Sequence, residues 1–166
     1  MSGSSRSLTD YIERWGPLLC GAAGFGLLVW FRPSVLAYIV AKDLSISNLY
    51  TAIFDWSAIQ TGCLFAIYGF VAGKTDGFIG AIRQSRAMNT YIRYVKRAMI
   101  MGFVLTILSM PLMVYNYEVT AQAYWWYFIV AFWFSLFIWA FLSFIRVAYI
   151  FGVLIRVKEP DSLSGG

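Results

Sequence analysis

Histidine is absent from this chain of 166 residues, cysteine occurs only as Cys20 and Cys63, and charged residues make up 13% of it. Each shortage removes a class of chemistry. Without histidine there is no imidazole to serve as a base near neutral pH or to ligate zinc. The two cysteines each stand inside a long apolar stretch, so the C-x-x-C spacing of thiol oxidoreductases does not occur, and both read as small packing residues. The glycine-rich run Gly21-Ala22-Ala23-Gly24-Phe25-Gly26 has the order G-x-x-G-x-G, follows no strand, and fits close helix packing better than dinucleotide binding. Ala22 with Gly26, and Gly69 with Gly73, are the small pairs that would let another backbone approach. No cofactor and no metal ion are expected. Nor is an enzyme, since the apolar stretches contain Asp55 and almost no other acid or base.

What fills the space left by charge is apolar. Residues of the AVILMFWYC set reach 60% of the chain and aromatics 19%, where soluble domains hold about half apolar residues and about a quarter charged ones. Four stretches are long enough to cross a bilayer: 15–31, 53–73, 98–115 and 124–145. A helix rising 1.5 Å per residue needs roughly 20 residues for a hydrocarbon core about 30 Å thick. Trp15, Trp30, Tyr50, Trp56 and the run Tyr124-Trp125-Trp126-Tyr127 gather where interfacial belts would lie. The expected fold is all-α: a single polytopic domain over 1–166 with four transmembrane helices.

Charge placement gives an orientation. The connector from Lys74 to Arg97 carries Lys74, Arg83, Arg86, Arg93, Lys96 and Arg97 against one acid, Asp76. The turn between spans three and four carries only Glu118. By the positive-inside rule the connector is cytoplasmic, and four spans then put both termini there too, in agreement with Arg6, Arg14, Arg156 and Lys158. The expected location is a bacterial inner membrane, multi-pass. The net charge of +5 is thereby assigned to anionic lipid head groups on the inner face and argues against nucleic acid. Arg6 and Arg14 precede an apolar run as in a signal peptide, but further spans follow in place of a soluble mature domain. Ser7 with Asp10 fits a capping box, and Leu8, Tyr11, Ile12 and Trp15 recur at helical spacing, which predicts a short helix on the inner surface.

Polar residues at membrane depth are costly and therefore informative. Arg32 follows the first span, with Pro33 behind it, so 33–52 is expected to be an outer hairpin or a kinked extension in the interface. Asp55 sits two residues into the second span, where a salt bridge with Arg32 would pin the first two spans together; a gating role is the alternative. Gln60 and Thr61 lie below it and could line a polar seam. Arg146 closes the fourth span, after which nine uncharged residues lead to Arg156, so the helix is expected to run on past the membrane. Phe78, Ile82, Met88, Ile92, Val95 and Met99 are spaced to form an apolar stripe on the connector. The connector is thus expected to be an amphipathic basic helix that covers the extension, giving a cytoplasmic subdomain from 74–97 and 146–158. The residues expected to bind lipid or a partner are Arg83, Arg86, Arg93, Lys96 and Arg97; the intramembrane polar set is Arg32, Asp55, Gln60 and Arg146.

The span Phe54-Asp55-Trp56-Ser57-Ala58-Ile59-Gln60, the basic connector behind it and a fourth span ending in arginine form a layout that resembles small bacterial four-helix membrane proteins of antiphage systems. The membrane subunit of the Kiwa system and the exclusion membrane protein of phage lambda are of this kind. The resemblance implies a protein that senses membrane disturbance and engages a cytoplasmic effector or depolarises the cell; it carries over no residue. The residues themselves point to a non-enzymatic homo-oligomer, tetrameric by our reading, that sits among membrane lipids and meets an acidic cytoplasmic protein through the connector. The alternative is an oligomeric ion channel with Arg32, Asp55 and Gln60 near its path.

Overall fold

The computed structural model describes residues 8–41, 45–73, 85–115 and 124–156. These form α1 (Leu8–Trp30), α2 (Arg32–Val40), α3 (Ile46–Gly73), α4 (Arg86–Tyr115) and α5 (Tyr124–Arg156), with no strand among the described residues. The chain is all-α, and α3, α4 and α5 are each long and apolar enough to cross a membrane. They have 28, 30 and 33 residues. At 1.5 Å per residue they measure roughly 42 to 50 Å, longer than a hydrocarbon core of about 30 Å.

A fourth span exists only as a composite. Trp15–Trp30 qualifies together with α2, from which it is bent by 70°. On its own its 16 residues rise only about 24 Å. The joint is Phe31, at φ −88° and ψ 14°, in the sparsely populated bridge between helix and strand conformations. Pro33 stands at the start of α2, where its missing N–H is no loss. After Phe31 the chain is again helical over Arg32–Val40. The stretch 8–15 corrects a second expectation. It is no separate surface helix but the first two turns of α1, which runs through Pro17 without a break.

Two helix starts lie earlier than the apolar runs suggested, and serine explains both. Ser45 accepts from the Asn48 amide at 3.4 Å and opens α3 at Ile46. Ser85 accepts from the Met88 amide at 3.1 Å and opens α4 at Arg86. Each side-chain oxygen satisfies one of the amides that the first turn leaves without a partner. The second half of the basic connector is therefore the opening of α4 and continuous with the third span. Residues 74–84, with Arg83, Phe78 and Ile82, lie outside the described residues, as do the chain ends.

The helices do not pack in chain order. α3 pairs with α4, α4 with α5, and α1 lies along α5. Along the bundle α1 and α4 run one way, α3 and α5 the other, so one end gathers the starts of α1 and α4 with the finishes of α3 and α5; we call it the basic end. Two apolar clusters are stacked along the bundle. Tyr50, Ile53, Leu105, Leu112, Tyr127, Ala131, Trp133 and Ala140 fill the half away from the basic end. Leu64, Val71, Met88, Tyr91, Val95, Ala98 and Val147 fill the other, with Ile92, Met99, Ile150, Phe151 and Leu154 packed around them.

Candidate functional site

Between the two clusters lies a layer of small polar side chains. Ser57, Gln60 and Thr61 of α3 and Ser109 of α4 are all buried. Thr106 Oγ1 is 2.9 Å from Ser57 Oγ and 2.9 Å from the Gly102 carbonyl, so its one proton is shared between two acceptors. Thr61 donates to the Ser57 carbonyl at 2.7 Å, and the Trp133 indole donates to Ser109 Oγ at 2.9 Å. Gln60 Nε2 donates across to the Ala140 carbonyl of α5 at 3.0 Å. Its Oε1 is buried without a hydrogen-bond partner among the described residues. Gly102 makes the layer possible: a Cβ there would lie 2.6 Å from Thr61 Oγ1. The seam joins three helices through hydroxyls, one amide and one indole, the kind of bond that holds apolar helices together.

At the bent joint, Tyr127 of α5 donates its hydroxyl to the Leu28 carbonyl, in the last turn of α1. A helix end leaves such carbonyls without in-helix donors. The Arg32 guanidinium sits over the same tyrosine ring, 5.7 Å from its centroid. This corrects the expected Arg32–Asp55 bridge: no ion pair joins them among the described residues, since Arg32 opens α2 over Tyr127 of α5 while Asp55 is exposed on α3. Asp55 is corrected as well. Since α3 begins at Ile46, the carboxylate is its tenth residue, roughly 13 Å from the helix start. It is exposed on the bundle's surface together with Ile59, Gly62, Cys63, Ala66 and Gly69.

At the basic end, α1, α4 and α5 enclose a cleft of about 360 Å³. α1 supplies Trp15, Pro17 and Leu18; α4 supplies Tyr94, Arg97 and Met101; α5 supplies Trp139, Ser143 and Arg146. The Arg146 guanidinium stacks 3.8 Å from the Tyr94 ring centroid. Close contact of α1 with α5 brings the walls together. A Cβ on Gly21 would stand 3.0 Å from the Ser135 carbonyl oxygen, and one on Gly24 2.7 Å from Ile138 Cδ1. The contact thus runs through Gly21 and Gly24, whereas Ala22 and Gly26 of the expected pair are exposed.

The residues expected to meet a partner divide likewise. Arg86, Arg93, Lys96 and Arg97 are exposed on the first turns of α4, opposite its buried Met88, Tyr91 and Val95. Lys96 Nζ lies 5.7 Å from the Tyr68 ring centroid. Arg83 is outside the described residues. Sequence reasoning found Gln60, Thr61 and Arg146 but missed Thr106, Ser109 and Trp133. The signal was there: Gly102, Thr106 and Ser109 recur at helical spacing on one side of an otherwise apolar stretch. Among the described residues no group of three or more His, Cys, Asp or Glu is placed to hold a metal ion. Set against protein families, curated proteins and solved structures, the chain matches none.

Proposed function

We propose that this chain is a four-span protein of a bacterial inner membrane, with both termini cytoplasmic, that works as a homo-oligomeric anchoring or signalling subunit without catalysis. Its target is an acidic cytoplasmic protein that meets the basic end. The observation that carries the reading is the opening of α4. Arg86, Arg93 and Arg97, at i, i+7 and i+11, form one exposed cationic row on a helix that continues unbroken to Tyr115. A partner bound there pulls directly on a spanning element. Opposed charges across such a surface steer association and set specificity. The layout resemblance to antiphage membrane subunits supports phage defence as the setting.

The test is co-purification from detergent extracts. Arg86→Glu with Arg93→Glu is expected to release a bound acidic protein while the variant still extracts as the wild type does. Retention of that protein by the variant overturns the reading.

One observation favours a second reading, an oligomeric channel or depolarising effector. The exposed face of α3 combines Gly62, Cys63, Ala66 and Gly69 with Asp55. Copies packed through small residues on that face would bring a ring of carboxylates together, as cation pores do. Cation flux from liposomes that falls in Asp55→Asn would support it.

A further inference from the structure

The cleft between α1, α4 and α5 combines Arg97, at the edge of the proposed partner surface, with a second arginine and apolar walls that this surface does not use. Its volume of about 360 Å³ falls within the range of roughly 300–1,000 Å³ common for ligand sites. One part of it is cationic, with Arg97 and Arg146, and the rest is greasy, with Leu18, Met101 and Trp139. None of the described residues lining it is acidic. The Arg146 guanidinium stacks on the Tyr94 ring, which fixes its place in the wall of the cleft.

Depth agrees with this division. Arg97 stands 18 residues before the end of α4, about 27 Å along the axis, and Arg146 stands 22 residues after the start of α5, about 33 Å. Two antiparallel helices therefore put their arginines about one hydrocarbon thickness from the other end of the bundle, where lipid phosphates lie. We infer that this cleft binds an anionic phospholipid. The phosphate sits between Arg97 and Arg146, and an acyl chain runs along Leu18, Met101 and Trp139. Basic pockets between spanning helices on the cytoplasmic side are the known form of such sites. The inference rests on the membrane reading above and shares only Arg97 with the proposed partner surface.

The test uses the full chain in detergent, with lipid retention read by native mass spectrometry. Wild type is expected to keep phosphatidylglycerol about fivefold or more over phosphatidylcholine of the same chains. Arg97→Gln with Arg146→Gln is expected to abolish that preference, and Arg156→Gln with Lys158→Gln to leave it. Equal retention of the two lipids by wild type overturns the inference without any variant. So does equal loss in both variant pairs, which would mean diffuse surface charge, or displacement of the lipid by inorganic phosphate. A protein that stays monodisperse without detergent would defeat the membrane reading itself, a different result from equal lipid retention.

Discussion

At the scale of single residues, the polar seam is where small changes have large effects. Gly102 faces Thr61 with no room for a side chain, so Gly102→Val has to push α3 from α4. Overpacking of this kind costs roughly 1–3 kcal/mol, and the loss is expected in thermal unfolding of the detergent-solubilised protein. Gln60 behaves in the opposite way. It makes one bond, to Ala140, while its buried Oε1 has no partner among the described residues. An unsatisfied buried acceptor costs about 1–3 kcal/mol, which offsets what the single bond contributes. Gln60→Leu is therefore expected to unfold within about 1 kcal/mol of wild type, and Gln60→Ala to fall further because it leaves a cavity. A Leu variant less stable than the Ala variant would contradict this account. Gln60 was legible in the sequence as a polar residue in an apolar run. Its partner was not, because a carbonyl 80 positions away is selected by packing alone.

At the scale of elements, the bend between α1 and α2 depends on a carbonyl that the helix cannot satisfy itself. Tyr127→Phe removes the hydroxyl that reaches Leu28 but keeps the ring beneath Arg32. The expected cost is about 1 kcal/mol, seen as faster amide hydrogen exchange at 31–35 while α3 and α4 keep their protection. Gly21→Leu acts on the same element from its inner face. With the Ser135 carbonyl so near, the larger side chain is expected to lift α1 off α5 and raise exchange along α1. Here the apolar runs were easily read, but their ends were not helix ends. Arg86, Arg93, Lys96 and Arg97 break hydropathy yet are good helix formers, so α4 extends through them back to the Ser85 cap. The small pairs misled for a related reason: Gly21 and Gly24 face α5 while Ala22 and Gly26 do not, and only helix rotation decides between them.

At the scale of the whole molecule, the outside is as apolar as the inside. Trp30 is 81% exposed, Trp125 78% and Val114 74%, surfaces that water does not tolerate in such number on a monomer. In a Cys20→Ala, Cys63→Ala background, Thr75→Cys is expected to react with an impermeant maleimide only after cells are opened. Labelling of intact cells would reverse the orientation. That the chain holds helices apolar enough to cross a membrane was plain from composition; which helix neighbours which was not, since α1 skips α3 to lie on α5. The unbroken α4 has a mechanical meaning. Arg86 and Gly102 sit on the same rod about 24 Å apart, with its one internal proline, Pro111, beyond both. Such a rod cannot absorb torque on the way. A turn imposed on Arg86 and Arg93 is therefore carried along the helix to Gly102, where the absence of a side chain lets α4 lie against Thr61.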